Sequence, residues 1–574
     1  MKFITSTSMC LVCLLGSGIA WAQTVELPPI TIIGPETSAP DQVQKDVFAA
    51  APERLAAGNS GVDVQGRMGL GWLQDVTIRG AVFEDANVRL NGVPLNNPQT
   101  GHFNLSFPGV ATDIAGLDLQ LNAQTLEFEL ALPHQEESRV RMSLGSGGFA
   151  ESLMSMTRMA GEGYHRISFE GARTDGLRDE TDGYRTAGSY VFYRPGTESD
   201  VLVYAAMSEK SFGENGAYAA PWYMREQETL RQEFFSGQWQ WHRSWDVTLT
   251  PYLHRTQDTF WLDRDNPSGY RNDHTTWVGG NGLEFSDPQS GRFFKLEAQR
   301  DHLRSTNLGE RGRFFYSGQM GVKTQYYQRW SYAAAVEMKY FNEYPLKMLP
   351  RLELGYQLTN FWRLGASAQR IYRQPSYTEL YYNSVSNQGN PDLNPQTSDN
   401  AEIELSYTTG EIQFQTDVFF RHQQDTIDWV RNTADTVFQA VNAGTVDVRG
   451  FDVNFGLKTD MPVIQTVDVS YTYLDVQKEK VYDISKYVFD YLRDRLVLTL
   501  GGKPGPWDWA LDYVYEYHCD LGDRWLINAR LSYAVNPEMT VFLSGENLLD
   551  ADYEEFPYIQ GDPMFIKIGF DWKF

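Results

Sequence analysis

From about Ser138 to Phe574 the chain alternates apolar and polar residues, and this alternation restarts every twenty or so residues after breaks rich in Gly and Asp. In an extended strand successive side chains point to opposite faces, so a period of two predicts strands with one apolar and one wet face. Val467, Val469, Tyr471 and Tyr473 point one way, and Asp468, Ser470 and Thr472 the other. Ile412, Phe414, Thr416, Val418 and Phe420 oppose Gln413, Gln415, Asp417 and Arg421 in the same manner. Trp525, Ile527, Ala529, Leu531 and Tyr533 oppose Leu526, Asn528, Arg530 and Ser532. A half-buried strand of a soluble sandwich reads alike. It is the persistence of the pattern to the C-terminus that favours one sheet closed on itself, with lipid outside and water or protein inside. At about 20 residues per strand and connection, the region holds about 22 antiparallel strands, the size class whose lumen is plugged. The last file, Met564, Ile566, Ile568, Phe570, Trp572 and Phe574, is apolar up to the terminal carboxylate, with Lys567, Gly569, Asp571 and Lys573 opposite.

The N-terminal quarter reads differently. Met1-Lys2, the apolar stretch Leu11 to Ile19 and the small-x-small Ala20-Trp21-Ala22 form a signal peptide over residues 1–22, leaving Gln23 as the mature terminus. Cys10 and Cys13 leave with it, so Cys519 is the one cysteine of the exported chain and no intrachain disulfide is expected. Residues 23–40 form an extended leader in which Pro28 and Pro29 forbid helix. Residues 41–133 predict a small α+β unit: a short helix within Val43 to Ala57, broken or restarted at Pro52, then Val76 to Gly80, Ala86 to Leu90, and a turn at Asn91-Gly92. Such a unit ahead of a barrel, residues 134–574, suits a plug in the lumen.

Composition narrows the function. A formal charge of −25 and a pI near 4.8 argue against nucleic acid, a polyanion that binds through counterion release to Lys and Arg. Aromatics reach 14% although the mean hydropathy is negative, which fits aromatic girdles around a wet interior. No later segment is apolar for about 18 residues, so a membrane-spanning helix is not expected. Metal-protease, phosphate-loop and nucleophile-elbow motifs are absent from the sequence, and no enzyme activity or resident cofactor is expected. The acidic run Asp179-Glu180-Thr181-Asp182-Gly183 could hold calcium through oxygen ligands but lacks the spacing of a dedicated calcium loop.

Several motifs, in order, resemble the TonB-dependent outer-membrane receptors. Asp75-Val76-Thr77-Ile78-Arg79-Gly80 and Asn87 to Asn97 look like the plug core of that family, and Asn96 to Asn104 resembles its cobalamin-receptor-like subgroup. In the barrel, Arg373-Gln374-Pro375-Ser376-Tyr377-Thr378-Glu379-Leu380, Gly389 to Pro395, Asn442-Ala443-Gly444, Arg449-Gly450-Phe451-Asp452 and Glu546 to Tyr553 are similar to family patterns. The resemblance implies an exported outer-membrane protein that takes up a scarce nutrient, a cobalamin-like or metal-chelate ligand, with energy from an inner-membrane TonB protein.

Leu27, Pro28, Pro29, Ile30, Thr31, Ile32 and Ile33 then correspond to the TonB box, whose β-branched residues suit pairing as an added strand. Arg79, Gly80, Asn91 and Gly92 are expected to have structural roles in the plug. Ligand contacts are expected from Asn96, Asn97, Gln99, Thr100, His102, Phe103 and Asn104 of the plug, and from Tyr218, Trp222 and Tyr270 of outer loops. Phe570, Trp572 and Phe574 would carry the signal read by the outer-membrane assembly machinery, and membrane lipid and lipopolysaccharide would surround the barrel. One departure stands out. After Gly116 to Leu121 the family's Gly-, Pro- and Ser-rich loop is missing, and the chain runs directly from Asn122-Ala123-Gln124-Thr125 into Leu126 to Leu132. This shortened plug favours, as the alternative, a plugged barrel that binds a ligand or surface partner without active transport.

Overall fold

A computed structural model describes residues 52–68, 71–214, 225–384, 386–432, 437–479, 482–485 and 491–574. The signal peptide, the leader with Leu27 to Ile33, and the loop residues Tyr218 and Trp222 lie outside the described residues.

A closed barrel of 22 strands begins with Glu137–Gly145 and ends with Phe565–Lys573, which pair with each other to seal the sheet. Neighbours in the barrel are antiparallel and follow chain order, as in an up-and-down meander. Closure leaves no sheet edge facing lipid. The outward files are those the alternation predicts: Leu144, Phe169, Met207, Leu253, Met348, Ile403, Val418 and Ile568 are exposed on the outer face. Aromatics gather at the rim that carries the short turns and the chain terminus, where Trp330 meets Tyr356, Trp362 meets Tyr407, Trp507 meets Tyr533 and Trp572 meets Phe574, with ring centroids 4.5–4.8 Å apart. Such rings combine an apolar body with a polar tip and favour a water–lipid boundary.

The opposite rim carries the long connections. Three of them, 374–395, 425–445 and 479–491, join through the small sheet made by Asn387–Gln388, Phe438–Asn442, Ile427–Arg431 and Ile484–Ser485. Leu380, Leu393, Ile427, Trp429 and Ala440 give this cap its own apolar core.

The main hydrophobic core lies in the plug and against the inner wall. Val76, Ile78, Val88, Leu90, Leu119, Leu126 and Phe128 form its centre, and Tyr204, Phe234, Tyr252 and Val278 of the barrel pack onto it. A six-residue helix, Pro52–Ala57, starts at the proline, where a missing N–H costs nothing. Val62–Met68 pairs with Leu73–Ile78. A second sheet has the order Val93–Pro94, Asn87–Leu90, Thr125–Leu130, Ile114–Gln120, with the middle pair parallel. Asn91 and Gly92 both have positive φ, 46° and 78°, as the tight hairpin turn predicted there requires. The strand expected after the missing loop is present, and the loop itself is replaced by a short turn through Gln124, φ 51°.

Candidate functional site

The plug is held by side chains that cross to the barrel wall. Arg79, at φ 49° just after the strand Leu73–Ile78, is 5% exposed and reaches two carboxylates. Its Nε and Nη2 donate to Asp452 Oδ2 at 2.9 and 2.5 Å, and its Nη1 donates to Glu402 Oε2 at 2.6 Å. The guanidinium lies 3.9 Å from the Phe419 ring centroid. Phe419 can sit there because Gly450 has no Cβ to meet it. Burial alone would lower the Arg79 pKa, but Asp452 and Glu402 outweigh it and hold the group above its ordinary value.

The remaining seat is spread around the wall. Arg495 donates to the carbonyls of Ala57 and Asn59, each at 3.1 Å, and to that of Val62. Ser60 bonds Ser470 and Thr472, both at 2.7 Å. Across the lumen Arg166 and Tyr204 hold Asp113 at 3.0 and 3.1 Å, and Arg185 donates to the Gly109 carbonyl at 2.7 Å.

A barrel loop also reaches down onto the plug. Ser376 caps the short helix Tyr377–Tyr381 in a capping box with Glu379. The amides of Tyr377 and Thr378 donate to the carbonyls of Pro98 and Gln99 at 3.1 and 2.9 Å. Arg373 bridges Glu379 at 2.9 Å and Asp85 of the plug at 3.0 Å. Beneath this loop sits Glu84, whose pKa burial pushes up to about 7, with Glu379 adding and His102 and Arg373 opposing. A carboxyl raised in the folded state contributes stability that is complete below its unfolded pKa and is lost as pH rises through its folded one. The seat is therefore expected to melt higher at about pH 6 than at about pH 8 through this group. Glu84→Gln should flatten that part of the difference, and thermal melts of both proteins at the two pH values check it.

The plug residues expected to meet ligand divide sharply. Phe103 is buried in the main core, its ring 5.1 Å from Phe107, so it packs rather than presents a surface. The chain turns it inward, where an aromatic ring is worth most. Gln99 is also buried, and its side chain faces Asp258 of the wall. Asn96 is spent on the plug itself: it accepts from the Val88 amide at 2.8 Å and donates to the carbonyls of Ala86 and Gly101 at 2.8 and 3.0 Å. Asn97 accepts from the Gln99 amide at 3.0 Å. His102 Nε2 lies 3.2 Å from the buried Asp75. Asn97, Thr100 and Asn104 are half-buried. Tyr270 is exposed, its hydroxyl 3.2 Å from that of Tyr382, and Asn272 donates to it at 3.0 Å.

Sequence reasoning missed Tyr381, Tyr382 and Arg311, which stand beside it with the guanidinium 3.9 Å from the Tyr381 ring. The Ser-x-x-Glu spacing at Ser376 and Glu379 was the available signal for the helix that presents the two tyrosines. In the acidic loop, Glu180 bonds Arg225 at 2.9 Å and also pairs with Arg264, which holds Asp182 at 2.7 Å. Among the described residues no group of three or more His, Cys, Asp or Glu is placed to hold a metal.

The near-terminal motif has a local role as well. Asn547, at φ 46°, clips the last long loop by donating to the carbonyls of Ala551 and Asp562 at 2.9 and 3.0 Å.

Comparison with known proteins agrees with this geometry. Residues 153–548 match the family described as TonB dependent receptor-like, beta-barrel. A stretch of 237 residues, 39% of this chain, is 24% identical to the vitamin B12 transporter BtuB of Photobacterium profundum, and it spans only 37% of that protein's length. The siderophore receptor PirA from Acinetobacter baumannii superposes with a TM-score of 0.74 at 11% identity, covering 90% of this chain and 94% of that one. The copper transporter OprC superposes at 0.76 with 13% identity, covering 93% and 98%. The FrpB iron transporter from Neisseria meningitidis does so at 0.73 with 10% identity, covering 91% and 96%. With the family match covering more than half of its length, the chain belongs to the TonB-dependent receptors, plugged barrels of the outer membrane that are receptors rather than enzymes.

Proposed function

We propose that this protein imports a scarce nutrient, a cobalamin-like or metal-chelate ligand, with energy delivered by TonB to the segment Leu27 to Ile33. The observation that carries this reading is the seating of the plug: buried ion pairs and hydrogen bonds on several sides of the lumen hold it. A barrel held in this way does not pass cargo by diffusion, so uptake needs work done on the plug. Ligand first meets the outer wall of Tyr270, Tyr381, Tyr382 and Arg311, with Asn97, Thr100 and Asn104 of the plug beneath. Aromatic rings with amides and one guanidinium suit a large polar organic cargo.

The second reading, binding without active transport, is favoured by the short turn at Gln124 in place of the family's longer plug loop. One experiment separates the two. Cells expressing the protein are offered labelled cobalamin and a panel of ferric chelates, with and without a protonophore. Uptake of one of them that stops with the protonophore, while surface binding persists, supports import. Binding with no energy-dependent accumulation supports the second reading. With the bound compound in hand, Tyr270→Ala combined with Tyr382→Ala is expected to weaken it by about 2 kcal/mol, the scale of a binding hot spot. An unchanged affinity in titration would move the contact surface elsewhere.

A further inference from the structure

The plug does not meet the wall evenly. Its apolar core packs against Tyr204, Phe234, Tyr252 and Val278, and its polar seat reaches Glu402, Asp452, Ser470 and Arg495 on another side. Between these two contacts run the strands Gly309–Tyr327, Trp330–Phe341 and Tyr344–Gln357. Among the described residues, no hydrogen bond or ion pair joins the plug to the last two of them. Exposed Tyr332, Tyr340, Met348, Leu352 and Leu354 mark their outward files, so Ala335, Glu337, Lys339, Lys347, Arg351 and Glu353 point into the lumen. These inward side chains are wet. Arg351 pairs with Glu353 at 2.6 Å while its side chain stays 43% exposed, and Lys339, 26% exposed, pairs with Glu337 at 3.3 Å. Asp452 under the seat is 1% exposed by contrast. Gly321 faces Ala335 across the ladder, and neither has the bulk to fill the space. A water-accessible chamber therefore lies between plug and wall along this side.

Toward the outer rim the chamber ends at side chains of the wall itself. Phe341, Leu349 and Tyr372 form a buried cluster, with Phe315 and Tyr344 packed against it. The Phe341 ring lies 4.9 Å from that of Phe315 and 5.7 Å from that of Tyr372. Tyr372 arrives there because its strand leaves the ladder. Pairing of Tyr344–Gln357 with Trp362–Arg373 stops at Arg351 and Gln369, and Pro350, next toward the rim, has no N–H to extend it. The freed end of Trp362–Arg373 leans into the lumen, where Arg373 binds Asp85 of the plug at 3.0 Å. Leu364, Ala366, Ala368 and Arg370 are exposed, so alternation would turn Tyr372 outward too. Its ring instead lies against inward Phe341, 5.6 Å from the Lys347 ammonium. The Tyr372 hydroxyl is buried without a hydrogen-bond partner among the described residues, a cost that an opened position relieves.

We propose that cargo passes the plug through this chamber, with Phe341, Leu349 and Tyr372 as its gate. The route rests on the import reading above and deepens it. The gate is tied to the plug and to the ligand-facing wall alike. Tyr372 adjoins Arg373, which holds Asp85, and the connection after it holds the carbonyls of Pro98 and Gln99 through the amides of Tyr377 and Thr378. Work done on the plug therefore pulls on the root of Tyr372. Tyr381 ends the helix that begins at Tyr377, and Tyr382 caps it, so cargo held by these two bears on the same root. Withdrawal of the Tyr372 ring from Phe341 and Leu349 opens the chamber to the vestibule without the plug leaving the barrel. Beyond the gate, cargo meets Lys347, Lys339, Glu337, Arg351 and Glu353, charges of both signs that hold water and favour a polar solute.

The first test needs no cargo. Purified full-length protein is placed in liposomes, and entry of the small neutral sugar arabinose is followed by swelling. Phe341→Ala with Tyr372→Ala should swell about tenfold or more faster than wild type, since the lost rings leave an opening that the seated plug does not fill. Tyr340→Ala, one residue away on the lipid face, is the control and should stay as tight as wild type. Hydrogen exchange at Leu73–Ile78 should be the same in all three. Adding Gln319→Trp and Ala335→Trp in the chamber should close the leak again. If the double variant loses its heat-resistant migration, Tyr372→Ala alone should give a smaller leak of the same kind. Folded variants that stay tight overturn the proposal, as does a leak that comes with lost plug protection or one that the two tryptophans leave unchanged. The second test is uptake by cells. Gln319→Trp with Ala335→Trp, gate intact, should bind cargo at the surface like wild type and accumulate it about tenfold more slowly or less, because bulk added to a passage blocks it at no cost to the outer contacts. Accumulation at the wild-type rate overturns the route. A wild type that accumulates no compound sinks the import reading, and the cargo route with it, before any variant is read, while the swelling assay still decides the gate.

Discussion

Arg79→Ala is expected to unseat the plug while leaving the barrel closed. The substitution removes the cation that pairs with both Glu402 and Asp452, with Asp417 also close enough to act on it. Buried Asp452, with the Thr472 hydroxyl donating to it, and half-buried Glu402 are then left facing one another without the cation between them. Breaking a buried pair from one side costs about 3–5 kcal/mol, far more than the pair contributes when intact, because the stranded charges stay desolvated. The strand Leu73–Ile78 and the chain after it should therefore lose hydrogen-exchange protection, and cells should become permeable to small hydrophilic solutes. The barrel, closed by its own ladder from Glu137–Gly145 to Phe565–Lys573, should keep its heat-resistant migration. Arg79→Lys keeps charge but loses the planar fork and should fall between the two. Neutralising both sides together, with Arg79→Met, Glu402→Gln, Asp417→Asn and Asp452→Asn, should recover much of the loss, since none of the charges in this group is then left without its partner. If Arg79→Ala leaves plug protection at the wild-type level, the seat resides in the Arg495, Ser60 and Asp113 contacts instead.

What the sequence made legible was whatever water and lipid impose. The outward files of Val467 to Tyr473 and Met564 to Phe574 fall where expected: the first is half-buried while Ser470 and Thr472 between its members are buried, and in the second Met564, Ile566, Ile568, Trp572 and Phe574 are exposed, because a strand facing lipid has only apolar choices and a period of two cannot hide. Asn91-Gly92 was readable for a similar reason: two successive positive φ angles leave few residue types. Inward positions gave no such signal. Glu402 and Phe419 seat Arg79, yet an inward Glu reads the same whether it lines water or meets a buried guanidinium. The burial of Phe103 was not legible because Asn96 to Asn104 has no periodicity, and the turn geometry, rather than residue type, decides which of its side chains enters the core. Asn96 looked like a ligand donor for the reason that makes it useful to the plug: its amide satisfies three backbone groups at once. Polar residues in irregular segments thus carry binding and scaffolding under one appearance, and only their hydrogen-bond partners separate the two.

Ile32→Pro is expected to reduce uptake to the level seen with the proton gradient collapsed, with ligand binding at the cell surface intact. The segment Leu27 to Ile33 lies outside the described residues, so the expectation rests on its chemistry. Ile30, Thr31, Ile32 and Ile33 are β-branched or apolar residues next to two prolines that keep the flank extended. A partner that pairs with such a segment as an added strand relies on its backbone donors and acceptors, and proline removes one donor and crowds the ladder. Ile32→Val retains both the N–H and the β-branch and should transport like wild type, which separates loss of pairing from loss of a side chain. The plug should be unaffected, because its seat is made by Arg79, Arg495 and Asp113, all downstream of the segment. A thermal melt and a ligand titration of Ile32→Pro verify that condition. Uptake by Ile32→Pro at the wild-type rate would show that force is not applied through this segment, and the seat around Arg79 would then need another means of release.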